Sequence, residues 1–349
     1  MNEFRINGRL IAPGQPTYVI AELSANHGND YENALKLLNA AADAGADAVK
    51  IQTYRPDTLT IDVDNDYFRI SDGTLWDGQT LYQLYDEGYM PWEWQTELKK
   101  HADELGIDLF SSAFDESAVD FLENLDMPAY KIASFEIVDI PLIRRMAETG
   151  KPLIISTGMA SIEEIAQAVN AAREGGADGV SLLKCTSSYP APADSMNITT
   201  IPHMADLFDL PTGLSDHSKG IGAAVAAVVK GATIVEKHIC LSRDESTLDA
   251  TFSLEPDDFE RMVEGIREAE HSLGEVSYGV HAVEETNKVF RRSLFCVEDI
   301  AAGERFTQDN VRSIRPGYGI KPIHLDFLLT RTAVTNIHRG DPITWDLID

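Results

Sequence analysis

The chain has 349 residues, 44% of them hydrophobic and 25% charged, which fits a globular protein with room for a (β/α)8 barrel and an appendage. Acidic residues outnumber basic ones 57 to 29, and the formal charge of −28 repels nucleic acid and anionic lipid, excluding both as partners. Under that field an anionic small molecule is held only by locally placed Lys or Arg, so basic clusters are informative.

From residue 18 onward, short β-branched runs alternate with amphipathic stretches. The expected strands are Tyr18–Ala21, Ala48–Gln52, Asp108–Ser111, Ala129–Ala133, Leu153–Ser156, Gly179–Leu183, Thr212–Leu214 and Thr233–Glu236. Helices are expected near 31–44, 91–105, 115–124, 139–149, 161–174, 198–208, 220–230 and 256–272. Ser161 with Glu164 gives the helix at 161–174 a capping box. Eight alternations predict a closed α/β barrel, and no G-x-G-x-x-G follows a strand to support a dinucleotide fold.

The connection from about 53 to 91 far exceeds the usual ~2–6 residues. It holds Tyr67, Phe68, Trp76, Tyr82, Tyr85 and Tyr89 before reaching Trp92 and Trp94. Two readings stand: aromatics that pin a long loop, or a lid that stacks on the apolar face of a sugar. After residue 275, a linker over 276–290 leads to a β-rich module, 291–349, with turns at Ile300–Gly303, Arg315–Gly319 and Arg339–Pro342. So small a module is expected to lean on its own barrel or on a neighbouring subunit. No apolar run reaches the ~18 residues of a membrane helix, and the first ten residues are too polar for a signal peptide, so a cytoplasmic protein is expected. Cys185, Cys240 and Cys296 read as buried thiols rather than a disulfide or zinc framework.

Chemistry in such a barrel sits at the C-terminal strand ends. In order these carry Glu22 with Asn26 and His27, then Lys50 and Gln52, then Ser111 and Ser112, then Lys131, Ser134 and Glu136. The later ends carry Ser156-Thr157-Gly158, Ser187 with Tyr189, Ser215-Asp216-His217, and Glu236-Lys237-His238. His217 and His238 follow adjacent strands, so two imidazoles with water and substrate oxygens could hold Mn2+, Co2+, Fe2+ or Zn2+. A single strand-end histidine is more often structural; His27 is a third candidate, for metal or substrate. Lys50 and Lys131 have three readings. They could pair with Glu22 or Glu136 as buried salt bridges, hold phosphate and carboxylate beside Ser134, Ser156, Ser187 and Ser215, or form a Schiff base.

The segments Ala21–Gly28, Lys50–Gln52, Lys131–Ser134, Ser156–Met159, Cys185–Pro190, Gly213–His217 and Glu236–His238 resemble the sialic acid synthase family in sequence and order. Arg315–Ile320 resembles that family's antifreeze-like domain, so the likeness covers essentially the whole chain. It implies a (β/α)8 TIM barrel (1–275), a linker (276–290) and a small C-terminal β-clip, antifreeze-like SAF domain (291–349). The implied reaction condenses phosphoenolpyruvate with an amino-sugar aldehyde and releases phosphate.

The resemblance also implies roles. Lys50, Lys131, Ser134, Ser156, Ser187 and Ser215 would hold phosphoenolpyruvate. His217 and His238 would be catalytic and bind a divalent metal ion, Mn2+ foremost, with Mg2+ or Co2+ as the other candidates. Glu22 would sit at the reacting centre, and Gln52, Glu136, Tyr189 and Asp249 would contact the sugar. Arg315 would reach the sugar from the second subunit of a domain-swapped homodimer. Within the family, Gly73–Gly78, Leu81–Tyr85, Pro91–Trp94 and Asp249–Pro256 are similar to members that make pseudaminic acid. Members that make N-acetylneuraminate or legionaminate commonly have Asn where this chain has Ser187. A Schiff-base aldolase and a non-catalytic sugar-binding protein are the competing readings from other classes.

Overall fold

A hairpin opens the chain in the computed structural model, which describes residues 3–349 except 72, 74, 75 and 246. Its strands β1 (Phe4–Ile6) and β2 (Arg9–Ile11) join through Asn7 and Gly8, both at positive φ (46° and 81°) as a tight two-residue hairpin turn demands. Eight parallel strands follow: β3 (Tyr18–Glu22), β4 (Ala48–Thr53), β5 (Asp108–Ala113), β6 (Tyr130–Ile132), β7 (Leu153–Ser156), β8 (Val180–Cys185), β9 (Thr212–Asp216) and β10 (Ile234–His238). They pair in chain order, and β10 closes onto β3 with Ile234 opposite Tyr18 and His238 opposite Glu22. Their Val, Ile and Leu residues are buried on both faces, as in a sheet wrapped by helices.

Those helices are α1 (Tyr31–Asp43), α2 (Pro56–Leu59), α3 (Leu81–Gly88), α4 (Trp92–Leu105), α5 (Glu116–Glu123), α6 (Ile140–Ala147), α7 (Ile162–Gly175), α8 (Thr200–Phe208), α9 (Gly222–Val229) and α10 (Pro256–Leu273). The expected capping box opens α7: Glu164 N donates to Ser161 Oγ at 3.2 Å, and Ser161 N to Glu164 Oε2 at 2.7 Å. The sequence pattern did not indicate α2 and α3, both of which lie inside the long connection after β4. The barrel is therefore an eightfold β/α alternation with a helical insertion.

The hairpin crosses the N-terminal mouth of the barrel. Arg9 pairs with Asp47, just before β4, and Asn7 Nδ2 donates to Asp108 Oδ1 on β5 at 2.8 Å. On the opposite side Phe4 packs onto Gly179, where any Cβ would come within 2.2 Å of Phe4 Cβ.

Alternation along the strands sorts side chains between the cavity and the helical layer. On β9 and β10 and just beyond, Ser215, His217, Glu236 and His238 face inward. Asp216 and Lys237 face outward and meet at 2.7 Å, both side chains 0% exposed, and Lys237 Nζ also donates to Ser218 O at 2.7 Å. This buried pair ties together the two strands that carry the histidines.

The chain divides into two compact units, Met1–Gly274 and Glu275–Asp349. The second has antiparallel strands β11 (Ser293–Cys296) and β12 (Val311–Ile314), a short helix α11 (Leu325–Leu328), and its own core including Leu294, Ile300, Phe306 and Leu328. A 3-10 turn, Ala282–Phe290, belongs to this unit, with Gly317 N donating to Val289 O at 2.9 Å. All three cysteines are free and buried, and among the described residues no helix is long and apolar enough to cross a membrane.

Breaking the Asp216–Lys237 pair leaves a buried charge without a partner. Lys237→Met should therefore cost about 3–5 kcal/mol in urea unfolding. The double change Asp216→Leu with Lys237→Met should recover most of that loss; a double variant no more stable than the single one would contradict this account.

Candidate active site

A cavity of about 560 Å3 opens at the C-terminal ends of the barrel strands. Among the barrel candidates drawn from sequence for metal, phosphoenolpyruvate or sugar, all except His27 and Ser187 line it. Four buried charged groups form its floor. Lys50 Nζ lies 2.7 Å from Glu22 Oε2 and 3.6 Å from Glu236 Oε1, and donates to Ser112 Oγ at 3.1 Å. Lys131 Nζ lies 4.0 Å from Glu236 Oε2 and donates to Ser156 Oγ at 2.6 Å.

The Lys50–Glu22 pairing agrees with one sequence reading, but the carboxylate facing Lys131 is Glu236 rather than Glu136 or Glu22. Glu236 had no role assigned from sequence. Its signal was present all the same: two residues before His238 on one strand, it must share that histidine's face. Burial disfavours the charged form of Lys50, yet Glu22 and Glu236 outweigh it and hold the ammonium above its ordinary pKa. Burial lowers Lys131 despite the neighbouring Glu236. It raises Glu22, whereas at Glu236 the charges of Lys131, Lys50 and His217 overcome burial and hold the carboxyl below its usual range.

Beside this floor the hydroxyls gather. Ser134 Oγ accepts from Gly158 N at 3.1 Å, and Ser215 Oγ donates to Glu236 Oε1 at 3.4 Å. A Cβ on Gly158 would lie 2.2 Å from Ser187 Oγ and 2.7 Å from Ser134 Oγ, so only glycine lets these two hydroxyls close on that backbone. Ser187 therefore sits behind the lining rather than in it, with Cys185 Sγ at 3.8 Å.

The His217 and His238 rings lie 5.2 Å apart, centroid to centroid. His217 Nδ1 faces the Thr186 carbonyl at 3.2 Å; donating there leaves the lone pair on Nε2. His238 Nδ1 is buried without a hydrogen-bond partner, 3.9 Å from Asp249 Oδ2. Burial and the nearby cations hold His238 well below its usual pKa, so it is neutral and fit to ligate. At His217 burial is outweighed by Cys185 and the Thr186 carbonyl, which raise the pKa. Among the described residues no group of three or more His, Cys, Asp or Glu is placed to hold an ion. The two imidazoles would thus need water or substrate oxygens to complete a coordination sphere. His27 is not part of the lining. It is buried edge-on against Trp94 at 5.8 Å, and burial lowers its pKa to about 4.

Around the rim, Gln52 Nε2 donates to Glu22 Oε1 at 2.8 Å and to Ser24 Oγ at 2.9 Å. The Tyr189 ring is 4.4 Å from that of His217 and 5.9 Å from that of Trp76. Asn26 places the loop that carries Asp249: its Nδ2 donates to Ile239 O and Ser253 Oγ, each at 2.8 Å, and its Oδ1 accepts from Thr247 Oγ1 at 2.9 Å. The aromatic connection divides by residue. Trp92 pins the loop, stacking on Phe121 at 4.8 Å and donating Nε1 to Tyr54 O at 3.1 Å, while Tyr67, Trp76 and Tyr85 line the cavity. Thr74 and Leu75 of the Gly73–Gly78 stretch lie outside the described residues. Arg315 is an exposed residue of the second unit.

Residues 37–278 match the NeuB family and residues 291–349 match the SAF domain. The chain belongs to the NeuB family, the sialic acid synthase type that its motifs resembled. It is 43% identical over 326 residues to the pseudaminic acid synthase of Campylobacter jejuni subsp. jejuni serotype O:2, covering 93% of this chain and 95% of that one. It is 38% identical over 336 residues to the pseudaminic acid synthase of Helicobacter pylori, covering 96% and 98%. Among solved structures, the spore coat polysaccharide biosynthesis protein SpsE of Bacillus subtilis superimposes with a TM-score of 0.68 at 31% identity, covering 99% of each chain.

Burial pushes the Glu136 carboxyl up to about 7, against the pull of its own backbone N–H and Lys131. The folded state then binds this proton more tightly than the unfolded state, so the contribution to stability is greatest in acid and is lost as pH rises from about 4.5 to about 7. Glu136→Gln should therefore gain thermal stability relative to wild type as pH rises from about 4.5 to about 8. An offset independent of pH would show that Glu136 titrates normally.

Proposed function

We propose that the protein is a pseudaminic acid synthase, a transferase that condenses phosphoenolpyruvate with 2,4-diacetamido-2,4,6-trideoxy-β-L-altropyranose in its open-chain form. One observation carries the reading. In a chain of net charge −28, two lysines from different strands converge at the floor of a single cavity, a place suited to a small multiply charged anion. The relatives at 38–43% identity bear the same synthase name, which supports the choice of sugar.

In the reaction, C3 of phosphoenolpyruvate bonds to C1 of the aldehyde, water adds at C2, and phosphate leaves with C–O cleavage. Lys50 and Lys131 would hold the carboxylate and phosphate, with Ser134, Ser156 and Ser215 of the lining donating hydrogen bonds. Positive charge develops at C2, where the Glu22 carboxylate would stabilise it. Gln52, Glu136, Tyr189 and Asp249 would orient the sugar. Lys50 held cationic between two carboxylates is poorly suited to a Schiff base, which needs a free amine.

His217 and His238 would hold a divalent ion, Mn2+ by our assignment, with Mg2+ and Co2+ as alternatives. The residues fit one: an unpartnered imidazole nitrogen on His238, a lone pair set free on His217, and four carboxylates, Glu22, Glu136, Glu236 and Asp249, against Lys50, Lys131 and Arg69 in the cavity's lining. Bound there, the ion would supply Lewis acidity toward the aldehyde oxygen. We assign catalysis to the barrel (1–275) of a cytoplasmic homodimer, with the SAF module (291–349) of one subunit bringing Arg315 to the sugar of the other.

Phosphate release from phosphoenolpyruvate, assayed over a panel of amino sugars with and without EDTA, tests this. Turnover should be far faster with the trideoxy diacetamido sugar than with N-acetylmannosamine, disappear with EDTA and return with Mn2+. N-acetylmannosamine as the sole substrate would refute the assignment of sugar. His217→Ala and His238→Ala should each abolish turnover while the circular dichroism spectrum stays unchanged. Full activity of metal-free His217→Ala would refute the metal site.

A further inference from the structure

Helix α3 has an apolar stripe that no core covers. Leu81, Leu84, Tyr85 and Gly88 recur at i, i+3, i+4 and i+7, one face of a helix, and all four line the cavity. Gln83, Asp86 and Glu87 lie on the other face, exposed. A reciprocal cap fixes where the helix starts, with Gln83 N donating to Thr80 Oγ1 at 3.2 Å and Thr80 N to Gln83 Oε1 at 3.0 Å. Of the stripe only Gly88 is buried; Leu81, Leu84 and Tyr85 remain half-buried. A Cβ on Gly88 would lie 3.1 Å from both Leu248 Cδ1 and Tyr54 OH, so glycine here lets α3 close against the loop after β10. Leu59, Ile70 and Leu248 extend the stripe along the same cavity.

The cavity thus combines a floor of ionised groups with a wall of aliphatic ones, and its occupant must match both. Leucine side chains offer no hydrogen-bonding group. A hydroxyl pressed against them loses water without compensation, whereas a methyl group gains by burial. We propose that Leu81 and Leu84 of α3, with Leu248, form the specificity surface that receives the methyl groups of the sugar, those of its acetamides and of its deoxy C6. This rests on the cavity being the synthase site. The surface selects against a sugar such as N-acetylmannosamine, which lacks the second acetamide and carries a hydroxyl at C6.

Steady-state kinetics of the holoenzyme with both sugars test this. Leu84→Asn should lower kcat/KM for the trideoxy diacetamido sugar about tenfold or more, the usual weight of a methyl in an apolar pocket. Its KM for phosphoenolpyruvate should stay within about twofold of wild type, and its preference over N-acetylmannosamine should narrow. Leu84→Met, which keeps the apolar volume, should retain both rate and preference. Equal losses on the two sugars, or no loss, would overturn the proposal. If Leu84→Asn does not fold, Leu81→Asn carries the same test. A readout independent of turnover uses wild-type protein with labelled leucine methyls: nuclear Overhauser effects should link the sugar's methyl groups to Leu81 and Leu84. Their absence with bound sugar overturns the stripe even if the synthase reading stands. N-acetylmannosamine as the only working substrate would overturn the choice of sugar and, with it, the selectivity assigned to this surface.

Discussion

Closure of the barrel brings together charges that water would otherwise keep apart. Glu22, Lys50, Lys131 and Glu236 come from β3, β4, β6 and β10, and none is more than 4% exposed. An ionised group at that depth persists only with a partner, and the partner of Lys50 across the closing seam is Glu236 on the last strand. The seam between β10 and β3 is therefore an electrostatic requirement as well as a hydrogen-bonded one. The cluster is not fully satisfied: Glu236 Oε2 has no hydrogen-bond partner, and Lys131 stands 4.0 Å away. Reserve capacity of that kind is what a site for a charged ligand needs, because a cluster already at its optimum would lose by admitting one.

The labour is divided between scaffold and insertion. Strand ends supply the charged and hydroxyl groups on rigid backbone, held in register by ladders and by the Asp216–Lys237 pair behind them. The connection after β4 supplies apolar and aromatic side chains on a short capped helix anchored through Trp92. Among the described residues the connection shares no ladder with the barrel strands, so its wall can change without disturbing the floor.

Much of this was legible in the sequence because parallel strands buried on both faces leave long β-branched runs, and polar residues stand out where those runs end. His217 and His238 were found that way. Other features were not. Glu236 was seen but given no partner, because a run of residues shows which strand end a group occupies and not which group lies across the barrel. Helix α3 went unread, since eight residues inside a long aromatic connection give a weak periodic signal, though Thr80 with Gln83 marks its start. The hairpin β1–β2 has strands of three residues, too short for alternation to show, yet Asn7-Gly8 between two apolar pairs is a turn signal in its own right. His27 looked like a ligand because a strand end is where ligands sit; its burial against Trp94 is decided by α4, which sequence order places far away.

The hairpin across the lower mouth has one more consequence. With Phe4 seated on Gly179, and Asn7 and Arg9 fastened to Asp108 and Asp47, it clasps the strand ends farthest from the cavity. The two ends of the barrel therefore carry separate duties, and a change in the hairpin alters what holds the strands together without touching the lining of the cavity.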